Sequence, residues 1–280
     1  MFSKLLKHEW KANAGLLGIL SLCALGAGLL GGLVLRGIVF INERNAQGNE
    51  AVLGTMGLSS ALMFIIVALI AYAFAVQFIN LFRFYKNKFT DEGYLTFTLP
   101  VSPSQIFLSS FLNVLAWLAI SAVVLAVAFG LLVFIGAFDF LLETGVELQP
   151  LFWGLFGILD EAGMNQQDYV LYCILSCVSV VVTAVYSVLL LMTSITVGCV
   201  LARKHKILVT VGIYYAINFA IGIVESILGV VPLILLGMSE GDFILYMNAT
   251  AIINIILRLG LGIGGYFLST HLMKRKLNLP

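Results

Sequence analysis

Charged side chains divide this chain into six long apolar intervals. The first lies between Lys11 and Arg36, and the first four intervals contain no Asp, Glu, Lys or Arg. A helix that crosses a bilayer needs about 20 predominantly apolar residues, and each interval is long enough. The sequence therefore predicts an all-α integral membrane protein, a single domain over residues 1–280, with six transmembrane helices at roughly 14–36, 56–82, 108–137, 169–201, 207–236 and 244–272.

The composition agrees with this interpretation. Hydrophobic residues make up 61% of the chain and charged residues only 10%, whereas soluble domains carry roughly 25% charged residues. The first apolar stretch, Ala12–Leu35, exceeds the roughly 7–15 residues of a signal-peptide core. We therefore expect it to remain as a membrane anchor.

The positions of the basic residues predict the orientation, because cytoplasmic segments carry an excess of Lys and Arg. With a cytoplasmic N-terminus, four inner segments hold 12 of the 15 basic residues: Lys4, Lys7, Lys11, Arg83, Lys86, Lys88, Arg203, Lys204, Lys206, Lys274, Arg275 and Lys276. Ten of the 14 acids fall in the outer segments or at their edges. Both termini are therefore predicted to lie in the cytoplasm.

Two further helices are predicted beside the membrane. Phe2, Leu5, Leu6 and Trp10 recur near helical spacing among lysines, which is typical of a helix lying on the inner leaflet. The outer segment 139–168 contains six acids, and its apolar stretch Leu151–Leu159 is too short to span. We expect a short helix there, in the outer interface or packed on the bundle.

The cytoplasmic segment between spans two and three, from Arg83 to Gln105, is both aromatic and charged. Its aromatic side chains need a groove, a headgroup layer or a partner protein. Ser102, Pro103 and Gln105 form the pattern of an N-cap, a first-turn proline and a capping box. A helix is therefore predicted to begin at Pro103 and to continue into span three.

The stretch FYKNKFTDEGYLTFTLPVSPSQI, together with KLLKHEWKA before span one, resembles the ABC-2 type permeases of Gram-positive bacteria. The resemblance implies a transmembrane exporter subunit in the bacterial cytoplasmic membrane. Such a subunit pairs with a second permease half, identical or paralogous, and with ABC ATPase subunits that bind ATP. The loop between spans two and three would be the coupling helix that docks on the ATPase, a role that falls on Tyr85, Asp91, Glu92, Gly93, Tyr94 and Leu95.

Two other classes of function remain open on the sequence. One is a membrane scaffold or sensor subunit whose inner loop docks a cytoplasmic signalling partner. The other is an ATP-independent secondary transporter, although broken helices and inverted repeats typical of that class are not evident. A hydrophobic or amphipathic substrate is expected, and peptide, lipid, antibiotic and ion all remain candidates.

Enzymatic chemistry has little support in the sequence. The chain contains no GxxxxGK[ST] phosphate-binding loop, so ATP would be bound by a partner subunit. The GxSxG match from Gly237 to Gly241 falls in an outer turn without a histidine. We therefore predict no catalytic, metal or cofactor-binding residues in this chain, and no interaction with nucleic acid.

Two charges lie within predicted spans. Glu225 is about 27 Å along span five, and Arg258 is about 21 Å from the cytoplasmic end of span six. Because an isolated charge at that depth costs several kcal/mol, we predict that the two residues pair or line one cavity. The pair would either fix the two helices together or contribute a polar site to a translocation path.

Two GxxxG motifs permit close helix packing. Gly28 and Gly32 lie in span one, and Gly260 and Gly264 lie in span six. Packing within the chain is the favoured interpretation, and a dimer interface at span one is the alternative.

Overall fold

The computed structural model describes residues 2–44, 49–90, 93, 98, 101–136, 138, 166–202, 204–236 and 243–275. Within these ranges the chain is helical, without β-strands. Six helices are each long and apolar enough to cross a membrane. In chain order they are α1 (Phe2–Arg44), α2 (Asn49–Phe89), α3 (Pro103–Gly136), α4 (Gln166–Leu201), α5 (Lys206–Leu236) and α6 (Phe243–Arg275).

The first two helices extend well beyond the predicted spans. Helix α1 has 43 residues and is therefore about 64 Å long, roughly twice the thickness of a bilayer core. The expected inner-leaflet helix is part of α1, without a break between it and the first span. No proline occurs in Phe2–Arg44, so every residue can continue the hydrogen-bonding pattern. The expected helix near Leu151–Leu159 lies outside the described residues.

The chain forms two compact units, Met1–Arg83 with Leu112–Pro150 and Phe84–Phe111 with Leu151–Pro280. We call them unit 1 and unit 2. Two of the three boundaries along the chain fall within α2 and α3.

In unit 1, α1 runs antiparallel to α2 and parallel to α3. Asn13 bonds to Asn80 near one end of α1, and Ser21 contacts Tyr72 further along. Residue numbers in α2 therefore fall as those in α1 rise, which is the antiparallel arrangement. The core consists of Leu17, Ala24, Leu69, Tyr72, Val76, Trp117 and Ala128.

The glycines of the first GxxxG motif are in close contact with α3. A Cβ atom added to Gly28 would lie 2.5 Å from the carbonyl oxygen of Ala128, and one at Gly32 would lie 2.7 Å from Cβ of Ile135. Atoms of α3 occupy the space that a side chain at either glycine would need, so the motif brings the backbones of α1 and α3 close together.

In unit 2, α4 runs antiparallel to α5 and parallel to α6. Gly198 of α4 lies against Thr210 of α5, and Thr193 of α4 lies against Gly265 and Ser269 of α6. The directions alternate from α4 to α5 to α6, as successive membrane crossings require.

The second GxxxG motif does not make the expected contact within the described residues. Gly260 and Gly264 face open space, whereas Gly262 and Gly265 of the same helix lie against α4. A Cβ atom added to Gly265 would lie 2.9 Å from the hydroxyl of Thr193. Helix α6 therefore approaches α4 with a different face from the one that contains the GxxxG glycines.

Large apolar side chains cover much of the outer surface of the helices. Phe64, Phe74, Phe219 and Ile234 are each at least 73% exposed. Exposure of these side chains to water would be costly, but lipid tails are as apolar as the side chains themselves. The surface therefore fits a multi-pass membrane protein.

Candidate functional site

The two charges predicted within the membrane meet in unit 2. Nε of Arg258 in α6 donates a hydrogen bond to Oε1 of Glu225 in α5 at 2.8 Å, and Nη2 lies 3.3 Å from Oε2. Each side chain is 23% exposed. Glu225 is 19 residues from the start of α5 and Arg258 is 15 residues from the start of α6, so the ion pair lies near the middle of both helices.

A third helix contributes to this ion pair through a residue that the sequence did not indicate. Nη1 of Arg258 donates to the hydroxyl oxygen of Thr183 in α4. That hydroxyl in turn donates to the carbonyl oxygen of Ser179 at 2.7 Å. Thr183 is 18 residues before the end of α4, a depth similar to that of Glu225.

Tyr186 adds a second polar group beside the charges. It lies one turn from Thr183, is only 7% exposed, and its hydroxyl has no hydrogen-bond partner among the described residues. Three helices of unit 2 thus place an acid, a base and a hydroxyl together in apolar surroundings, where polar groups bind one another or a ligand more strongly than in water.

Aromatic packing fixes the end of α2 within unit 2. Phe84 contacts Phe89 with ring centroids 5.6 Å apart, and Phe107 of α3 with centroids 6.0 Å apart. Phe107 also contacts Tyr266 of α6 at 5.7 Å. Phe84, Phe89 and Phe107 are all buried. We call these four residues the aromatic cluster.

The aromatic cluster corrects one expectation. Phe84 and Phe89 were expected to need a groove, headgroups or a partner protein, but the chain itself buries them. The reason is that α2 remains helical as far as Phe89, which turns both rings towards α3 instead of leaving them in a loop.

The predicted coupling residues are only partly described. Tyr85 lies in the last turns of α2 and is partly exposed. Gly93 is buried, and its N–H donates to the carbonyl oxygen of Thr90 at 2.8 Å. Asp91, Glu92, Tyr94 and Leu95 lie outside the described residues.

The predicted start of α3 is confirmed. The helix begins at Pro103, and the carbonyl oxygen of Ser102 accepts hydrogen bonds from the N–H groups of Gln105 and Ile106 at 2.9 and 3.2 Å. Ile106 is fully buried in the first turns. The inner loop therefore leads directly into a firmly placed helix end.

Lys206 links the beginning of α5 to the same region, which the sequence did not predict. Its Nζ atom donates to the carbonyl oxygen of Phe89 at 3.4 Å. This carbonyl is at the end of α2, where helix geometry leaves acceptors without partners in the helix. The ends of α2 and α5 are therefore connected next to the inner loop.

The fold defines an all-helical, multi-pass membrane protein with a mid-helix ion pair. No protein-family model, curated protein or solved structure matches the chain.

Proposed function

We propose that this chain is the transmembrane subunit of an ABC exporter of the ABC-2 type. It lies in the bacterial cytoplasmic membrane with both termini inside, and pairs with a second permease half. A separate ATPase binds ATP and drives the movement of a hydrophobic or amphipathic substrate. The resemblance of the inner loop to such permeases and the absence of a phosphate-binding loop in the sequence support this proposal.

The observation that carries the proposal is the connection of the inner loop to the helices of unit 2. Before the loop, Phe84 and Phe89 are held by Phe107, and Phe107 contacts Tyr266 of α6. After the loop, α3 begins at once at Pro103. A displacement of residues 90–102 would thus reach α3 and α6 through packed side chains, because closely packed interiors transmit strain.

The contact between Lys206 and the carbonyl oxygen of Phe89 adds a third route, to α5. Helices α5 and α6 also hold Glu225 and Arg258. An ATPase that moved the loop would therefore act on the same helices that carry the polar residues at mid-membrane. This connection supports the proposal of a subunit that receives mechanical work at one end and changes access at its centre.

A second candidate function is ATP-independent secondary transport, which the ion pair favours. Ionisable residues within spans commonly mark ion or proton pathways, and Glu225 and Arg258 remain partly exposed. In that case an ion gradient would supply the energy, and the inner loop would have no motor to bind.

Co-purification tests the leading proposal. The tagged chain is expressed with an ATPase that is encoded by a neighbouring gene and contains a phosphate-binding loop. We expect a stable complex after size-exclusion chromatography in detergent. An unrelated ABC ATPase serves as the control for non-specific binding. Absence of a complex, together with gradient-driven uptake by the chain alone in vesicles, would favour the second candidate.

A further inference from the structure

An open cavity lies beside the beginning of α5, and its described lining belongs to unit 2. Its volume is about 730 Å³, and its described lining consists of Tyr85, Lys204, His205, Lys206, Ile207, Leu208 and Val211. The size falls within the roughly 300–1,000 Å³ typical of small-molecule sites. We call it the α5 cavity.

The lining of the α5 cavity divides into two chemical halves. Lys204, Lys206, His205 and Tyr85 supply hydrogen-bond donors and positive charge, and the described lining contains no acid. Lys206 uses one of its three donors on the carbonyl oxygen of Phe89, and its other two donors have no hydrogen-bond partner among the described residues. This half suits an anion with several acceptor oxygens, such as a phosphate group.

The apolar half continues along the membrane-spanning part of α5. Leu208 is 74% exposed, and Ile207 and Val211 are also exposed. Tyr215 and Phe219 follow at intervals of four residues and are exposed as well. From Ile207 to Phe219 this stripe is about 18 Å long, close to the roughly 15 Å depth of one leaflet of the hydrocarbon core.

The cavity lies at the basic end of α5, which the distribution of Lys and Arg predicts to be cytoplasmic. Anionic phospholipids in the cytoplasmic leaflet attract basic residues near its surface. The first turn of α5 adds backbone donors, because the first N–H groups of a helix have no carbonyl partner within that helix. The N–H group of Val209 donates to the carbonyl oxygen of His205, so the N–H groups that precede it in α5 point towards this end.

We propose that the α5 cavity binds the phosphate headgroup of an anionic phospholipid of the cytoplasmic leaflet. Lys204, Lys206 and Tyr85 contact the headgroup, and an acyl chain lies along the exposed stripe from Ile207 to Phe219. A free phosphate ion shares the chemistry of the headgroup but has no acyl chain to lie along the stripe. The proposal does not depend on an ATPase or on the exporter function.

Native mass spectrometry of the purified full chain tests this inference. The protein in detergent is incubated with equal amounts of phosphatidylglycerol, which is anionic, and phosphatidylcholine, which is zwitterionic. We expect preferential retention of phosphatidylglycerol. Lys204→Gln should reduce this preference about five-fold, the effect of removing one basic charge near an anionic lipid surface. Lys204 is exposed, so the substitution leaves the packing intact.

Two further variants separate the halves of the site. Leu208→Asn, at another exposed position, should weaken retention of both lipids without changing their ratio. Lys7→Gln is the matched control, since it removes an exposed basic charge from unit 1 and should leave the preference unchanged.

Three outcomes would overturn the proposal. Equal retention of the two lipids would show that the cavity does not select an anionic headgroup. An equal loss in Lys7→Gln and Lys204→Gln would indicate diffuse attraction without a site. Displacement of the lipid by an equimolar amount of glycerol phosphate would identify a site for soluble anions instead.

Discussion

Arg258 donates a hydrogen bond of 2.8 Å to Glu225 near the middle of two adjacent helices. Removing one partner leaves the other charge uncompensated in apolar surroundings. We therefore expect Glu225→Gln to lower the free energy of unfolding by about 2–3 kcal/mol, less than the roughly 3–5 kcal/mol of a fully buried pair because both residues are 23% exposed. Thermal unfolding in detergent micelles measures the change. Ser226→Ala is the control, because this neighbour is exposed and, within the described part of the chain, its hydroxyl bonds to the carbonyl oxygen of Gly222 in its own helix.

Exchanging the two charges should rescue either single reversal. The double variant Glu225→Arg/Arg258→Glu restores an ion pair between α5 and α6, with the two charges exchanged. We expect the double variant to be more stable than Glu225→Arg or Arg258→Glu alone. Equal loss in all three variants would indicate that mutual pairing does not stabilise these helices.

Gly28 provides a test of close packing in unit 1. An added Cβ atom would lie 2.5 Å from the carbonyl oxygen of Ala128, so Gly28→Ala should destabilise by about 1–3 kcal/mol through overpacking. Gly26→Ala, two residues away with nothing within 4 Å of the added atom, should be neutral or slightly stabilising. The midpoint of thermal unfolding distinguishes the two variants, and matching midpoints would contradict the contact.

Asn13 and Asn80 form a buried hydrogen bond of 2.9 Å in unit 1. Asn13→Leu should cost about 1–3 kcal/mol, because the amide oxygen of Asn80 loses the donor that it faces. The double variant Asn13→Leu/Asn80→Leu should recover part of this loss, because it also removes the amide of Asn80 that the single substitution leaves without its donor. A double-mutant cycle of unfolding measures the coupling, and strictly additive effects would show that the amides act independently.

The predicted orientation can be tested by cysteine labelling. In a variant without the four native cysteines, Lys7→Cys, Lys204→Cys and Lys274→Cys place thiols at exposed positions near the basic ends of α1, α5 and α6. A membrane-impermeant reagent added outside intact cells should leave all three unlabelled and should label Ser239→Cys in the predicted outer turn. Labelling of the first three from outside would reverse the topology.

Much of the fold could be predicted because membrane helices have a strong sequence signal. Long apolar intervals, four without any charge and two with a single one, located the six candidate spans, and the cap at Ser102 located the start of α3 to the residue. The full extent of α1 could not be predicted in the same way. Apolar residues mark only the part suited to lipid, whereas the hydrogen bonds of a helix continue through any polar sequence that lacks a breaker.

Side-chain contacts were harder to predict than helices. Depth along the spans indicated that Glu225 and Arg258 lie near one another, because unpaired charges in a membrane are costly. Thr183 gave no comparable signal, since a threonine in a helix commonly bonds to its own backbone. The sequence also did not indicate how α6 is rotated about its own axis. This rotation places Gly262 and Gly265 against α4, instead of Gly260 and Gly264.

The most direct test of the proposed function is the stimulation of the partner ATPase in proteoliposomes. The wild-type chain should raise the rate of ATP hydrolysis above that of the ATPase alone. The triple variant Asp91→Ala/Glu92→Ala/Tyr94→Ala should abolish this increase. Glu143→Ala/Glu147→Ala/Phe152→Ala, which removes two acids and one aromatic residue from the predicted outer segment, should retain it. Full stimulation by the Asp91→Ala/Glu92→Ala/Tyr94→Ala variant would contradict the role of the inner loop as the docking site of a motor.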